Sequence, residues 1–220
     1  MGGASTRIKA GSAALAVAGL LLLLSPVTRP WTDESTVTGA AEAMGSGAWV
    51  VSHQLAMLGL VLVVPGVVAL WALVRETPAE PVAGTASVLT WLGVALTLPY
   101  YGAETFGLHA VAAVNDDGAL LEIVDAFRFH PVAISGFGLG LLALGLGAVV
   151  AAVAINRSGV LPRLAGIPFA ASFVLFLPQF LMPAPFRIGH GLLAGVGCGW
   201  VAWTLWSAAS AEPPKTPARR

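Results

Sequence analysis

Four histidines and one glutamate carry most of the chemistry this chain can offer near its apolar segments. His53 opens the run His53-Gln54-Leu55-Ala56-Met57-Leu58-Gly59, His130 opens His130-Pro131-Val132-Ala133, and His190 opens His190-Gly191-Leu192-Leu193. Neutral imidazole is a ligand for zinc, copper and haem iron, and it relays protons near neutral pH. Glu104 is the only carboxylate inside an apolar segment, in Pro99-Tyr100-Tyr101-Gly102-Ala103-Glu104-Thr105-Phe106-Gly107-Leu108-His109. An ionised acid in hydrocarbon costs at least about 2.5 kcal/mol, so it must face other helices, be protonated or meet a cation. The sequence offers His53, His190 and Arg187 as partners.

Three functional readings follow from these residues. In the first, the histidines hold a cofactor. His53 and His190, on helices running in the same direction and at similar depth, would ligate one haem b, or His53, His109 and His190 would hold a transition metal such as zinc with Glu104 as the catalytic base. No HxxxH or HExxH spacing supports this, so each ligand would come from a different helix. In the second, the protein is a small proton-coupled carrier in which Glu104 titrates beside a helix break at Pro99 and Gly102. Such a carrier is small enough to call for a second copy or a membrane-protein partner. In the third, the protein is a cofactor-free structural or accessory membrane protein, and its polar residues only join helices. His130, next to a proline at a segment mouth, is the weakest site residue. Ser52 and His53 are adjacent, and neighbouring helix positions point about 100° apart, so they form no nucleophile–base pair.

The elements that must position these residues are membrane spans. Of 220 residues, 57% are apolar and 10% charged, and mean hydropathy is +0.84. A soluble domain carries about 25% charged residues, so a lipid bilayer is the partner this composition demands. The formal net charge of zero leaves no basic footprint for nucleic acid. The single cysteine, Cys198, excludes an internal disulfide and Cys-rich metal sites.

A spanning helix needs roughly 20 apolar residues. Six segments qualify, at about 8–27, 48–74, 82–114, 132–155, 164–181 and 188–209, giving an all-α six-span bundle as one domain over residues 1–209. With both termini in the cytoplasm, the inside holds Arg7, Lys9, Arg75, Arg157, Arg163, Lys215, Arg219 and Arg220. The outside then holds only Arg29, Arg128 and Arg187, as the positive-inside rule requires of a plasma-membrane protein. All four histidines fall toward the outer face. The first span lacks a small-x-small cleavage site after its apolar run, so it is expected to stay attached. The external stretch 28–47 reads as a flexible polar loop. Residues 115–129 read as an Asn-Asp-Asp-Gly turn and then a short amphipathic helix on the outer membrane surface. The Pro-rich tail 210–220 reads as disordered. The spans pair into three hairpins whose returning helices each carry a histidine near the outer end, a weak internal repeat. Trp49 and Trp71 read as interfacial belt residues at opposite ends of the second span.

Overall fold

The computed structural model describes residues 2–114 and 119–211. The Asn115–Gly118 turn signal and the tail from Glu212 onward lie outside the described residues. The described chain is helical, with no strand. Its helices are α1 (Gly2–Thr28), α2 (Val37–Gly45), α3 (Gly47–Leu73), α4 (Glu80–Gly102), α5 (His109–Val114), α6 (Leu120–Arg128), α7 (Pro131–Ser158), α8 (Gly166–Val174) and α9 (Ala184–Ser210). A π-helical segment, Ala103–Leu108, joins α4 to α5, and a 3-10 turn, Pro178–Leu181, follows α8.

Five of these elements are long and apolar enough to cross a membrane: α1, α3, α7, α9 and the continuous stretch Glu80–Val114. They are compatible with an integral membrane protein. Their outward faces carry leucines, valines and tryptophans such as Leu20, Trp91, Leu142 and Trp203, a surface suited to lipid. The inward faces form one core that includes Leu15, Leu60, Leu70, Leu144, Ile155, Phe173 and Leu205.

The segment 164–181 departs from the expected continuous span. It folds as the nine-residue α8, a turn at 175–177, and the 3-10 turn. An α-helix of that length rises only about 14 Å. Pro178 supplies the physical reason. It has no N–H, and in a continued helix its ring would meet the carbonyl four residues earlier, which belongs to Val174, the last residue of α8. The chain nevertheless runs alongside α7 here, from Ala152 to Phe137. Gly166 lies against Ala152 of α7, Gly145 lies against Phe173, and Phe180 reaches Phe137 near the start of α7.

The helices close into a ring. α1 packs on α3 and α9, α3 on α4, α4 on α7, and α8 fills the space between α7 and α9. All three sequence hairpins are thus packed pairs. Small residues let these backbones approach. A Cβ on Gly93 would lie 2.7 Å from the backbone nitrogen of Leu144, so α4 and α7 touch there at a distance only glycine permits.

One end of the ring carries a cap with its own small core of Ala40, Ala43, Met44, Trp49, Leu108, Leu120 and Val124. Residues 28–47 are not a featureless loop, because they contain α2. Thr36 caps this helix by accepting the Gly39 N–H at 3.1 Å. A Cβ on Gly39 would collide with the Asp33 carbonyl, so the turn into α2 needs glycine. The expected helix after residue 115 is α6. It is two-faced, but Leu120 and Val124 on its apolar side are buried in the cap core.

Candidate functional site

The polar residues singled out by sequence gather at the capped end, and their positions start from a helix irregularity. Pro99 lacks the N–H that would continue the α4 ladder. Four residues on, the Ala103 N–H is shared between the carbonyls of Pro99 and Tyr100, and the helix widens into the π segment. Glu104 lies on this widened turn and is buried. Its backbone carbonyl accepts the indole Nε1–H of Trp49 at 2.8 Å. Trp49 is fully buried in the cap core and is not a belt residue. Trp71, at the other end of α3, is exposed and donates to Glu80 at 2.7 Å.

The cation that meets Glu104 is Arg128, from the last turn of α6. Its Nε donates to Oε1 at 2.7 Å and its Nη2 to Oε2 at 3.1 Å. Neither His53, His190 nor Arg187, the partners expected from sequence, pairs with this carboxylate among the described residues. Arg128 Nη2 also donates to Glu34 at 2.9 Å, and Arg29 holds the other Glu34 oxygen at 2.7 Å. A chain of alternating charge, Arg29–Glu34–Arg128–Glu104, therefore ties the 29–36 segment, α6 and the π segment together. The Arg29 guanidinium lies over the rings of Trp31 and Trp49, 4.9 and 4.8 Å from their centroids. Burial pushes the Glu34 carboxyl up, but Arg29 and Arg128 outweigh that and hold it below the ordinary carboxylate value. Burial works against the charged form of Arg128, while hydrogen bonds and attraction from Glu104 and then Glu34 raise its pKa overall.

Each histidine expected to act as a ligand spends a ring nitrogen on a backbone carbonyl. The N–H of each ring donates, since a carbonyl only accepts. His53 Nδ1 donates to Trp49 O at 2.8 Å, one turn back on α3. His109 Nδ1 donates to Met44 O at 2.6 Å, satisfying a carbonyl left open at the end of α2. His190 Nε2 donates to Ser172 O at 2.7 Å, joining α9 to α8. His130 is exposed and precedes α7 without capping it through its side chain. Ser52 Oγ lies 3.3 Å from His53 Nδ1, closer than helix geometry suggested, but Ser52 donates to the same Trp49 carbonyl at 2.9 Å. The two groups share an acceptor and do not form a nucleophile–base pair.

His53 and His190 line one cavity, as expected from their matching depth, and His109 is not part of it. The cavity measures about 60 Å³, far below the roughly 300 Å³ or more that pockets for drug-sized ligands occupy. It does not fit a haem between the two imidazoles. Among the described residues, no group of three or more His, Cys, Asp or Glu side chains is arranged to hold a metal ion. The expected His53, His109 and His190 set with Glu104 as base is not brought together at one cavity among the described residues. His109 is bound to α2, and Glu104 is bound to Arg128.

Sequence reasoning missed Arg128, Glu34 and Trp49 as members of the site. Arg29, Arg128 and Arg187 lie at the capped end. All three are half-buried and held by carboxylates, rings or Gln179. Arg7, Arg75, Arg157 and Arg163, at the opposite end, are exposed. That asymmetry is a signal the sequence carries, because basic residues set apart from the exposed group are the ones bound into the fold. The chain matches no family model, no curated protein and no solved structure.

Proposed function

We propose that the protein is a multi-pass plasma-membrane protein of the structural or accessory kind, without haem or bound metal, with both termini in the cytoplasm and the ion-paired cap outside. The chain would pass the bilayer six times, the fifth time through the broken α8 segment. The observation that carries this reading is that the buried polar groups serve contacts between elements of the fold. Both Glu104 oxygens are on Arg128, and one ring nitrogen each of His53, His109 and His190 donates to a backbone carbonyl that joins or stiffens helices. A carrier site needs a carboxylate open to its cargo, and both oxygens of Glu104 are engaged by Arg128. The basic residues support the orientation, since exposed arginines collect at the end where α1 begins and α9 finishes.

Two measurements test this. In a Cys198→Ser background, a cysteine at Ser35 should react with a membrane-impermeant maleimide on intact cells, and one at Arg75 only after permeabilisation. The reverse pattern overturns the orientation. The purified protein should show no Soret absorption and no stoichiometric metal by elemental analysis. Either signal overturns the cofactor-free reading.

A further inference from the structure

The cavity beside the ion-paired chain has a charge imbalance that the structural reading leaves unused. Arg29, Arg187, His53, His190 and Gln179 line it, and among the described residues no carboxylate does. Glu34 compensates Arg29 at 2.7 Å. Among the described residues, no carboxylate lies within ion-pair distance of Arg187. Its Nε donates to Gln179 Oε1 at 3.1 Å, and its guanidinium lies over Trp31 and Phe180, 4.9 and 5.1 Å from the ring centroids. These contacts hold the group in place without neutralising it. A guanidinium has five N–H donors, and the Nη groups of Arg187 meet no protein acceptor among the described residues. A half-buried cation with spare donors at a polar cavity is the usual setting for an anion, because bidentate guanidinium contacts suit oxyanions.

The imidazoles refine the ligand. His53 has committed Nδ1 and keeps Nε2, while His190 has committed Nε2 and keeps Nδ1. Each kept nitrogen carries a lone pair in the neutral ring, so it accepts a hydrogen bond. The lining thus combines cationic donors with two neutral acceptors. An oxyanion that still carries a proton meets both. The volume agrees: at about 10–15 Å³ per water-sized site, about 60 Å³ accommodates a group of four or five heavy atoms.

We propose that this cavity is a binding site for a phosphate-class oxyanion, held by Arg187 and Arg29 with His53 or His190 accepting from its hydroxyl. This goes beyond the accessory reading and does not depend on it. Two sources share the chemistry. Free phosphate is one. The other is the headgroup of an anionic lipid, because Gln179 and His190 also line an apolar groove of about 560 Å³ formed with Leu175, Met182, Phe186 and Leu193.

The test uses the full chain in a phosphate-free sugar detergent, followed by tryptophan fluorescence on heating. Inorganic phosphate, against chloride at equal ionic strength, should raise the unfolding midpoint by on the order of 5 °C at saturation. Arg187→Gln should abolish the rise, Arg187→Lys should keep part of it, and Arg75→Gln at the far end should leave it intact. Dihexanoyl phosphatidate gives the second arm. If the lipid acts at concentrations where phosphate is silent, the ligand is a headgroup, and if both act alike, it is the free anion. Line broadening of the phosphorus NMR signal by wild type, lost in Arg187→Gln, covers the case where that variant unfolds too early to melt cleanly. The proposal is overturned if neither ligand moves the midpoint or the linewidth, or if Arg187→Gln responds as wild type does. Neither result bears on the termini or on haem and metal content.

Discussion

Arg128 grips both carboxylate oxygens of Glu104, Nε to Oε1 at 2.7 Å and Nη2 to Oε2 at 3.1 Å, although the two residues come from different elements of the cap. Glu104 is almost fully enclosed while Arg128 keeps some exposure. Removing one partner of an enclosed pair leaves an uncompensated charge, which costs more than the pair itself contributes. Arg128→Ala should therefore lower stability by about 2–4 kcal/mol, between the values for exposed and fully buried pairs. Arg128→Gln with Glu104→Gln should cost less than the sum of the two single changes. Thermal unfolding in detergent of the four proteins of this cycle measures the difference, and additive losses would refute the coupling.

Glu34 predicts the acid response of the cap. Its folded pKa is depressed below the ordinary 4.5 by Arg29 and Arg128 acting against burial. The linked stability is fully present above 4.5 and is lost as pH falls through the lower folded value. The unfolding midpoint should hold from neutral pH down to about 5 and drop beneath 4.5. Glu34→Gln should flatten part of that drop. An unchanged acid profile in the variant would show that Glu34 does not carry the effect.

Trp49 links the cap core to the π segment through one indole N–H on the Glu104 carbonyl, 2.8 Å away. Trp49→Phe keeps a ring in the core but leaves that carbonyl without its partner. The expected loss is about 1–3 kcal/mol, the cost of an unsatisfied buried polar group. Hydrogen exchange should also quicken at residues 103–108, and unchanged exchange there would count against the link.

Two glycines on α4 separate packing from composition. A Cβ at Gly93 would meet the α7 backbone at 2.7 Å, whereas a Cβ at Gly102 meets nothing within 4 Å. Gly93→Ala should push α4 from α7 and cost about 1–3 kcal/mol. Gly102→Ala should be neutral or mildly stabilising, as helix propensity favours alanine. Equal effects on the midpoint would mean that α4 and α7 do not meet as described.

The long helices were legible because length and apolarity decide them. Residues 8–27, 48–74, 132–155 and 188–209 each lie within a single helix or within one residue of its end. Proline was harder to read. Pro65 is absorbed inside α3, Pro99 precedes a π widening, and Pro178 coincides with the end of helical structure after α8. Neighbouring helices decide which of these outcomes a proline has, and hydropathy does not contain them. The α2 helix was legible in part: Thr36 offers a cap, and Ala40, Ala43 and Met44 share one face. Glycine, serine and threonine around it give the stretch the composition of a loop.

By itself the sequence determined an all-helical chain suited to a bilayer, with its few histidines and its one enclosed carboxylate drawn toward the same end. Those conclusions rest on local quantities: run length, residue type and the direction in which successive helices return. Only the tertiary structure decided who pairs with whom. It gave Glu104 to Arg128, tied His53, His109 and His190 each to a carbonyl, and left Arg187 beside a small cavity without a carboxylate partner among the described residues. The physical reason is range. A hydrogen bond or ion pair is settled within about 3 Å, whereas spacing along separate helices places side chains only to within a turn.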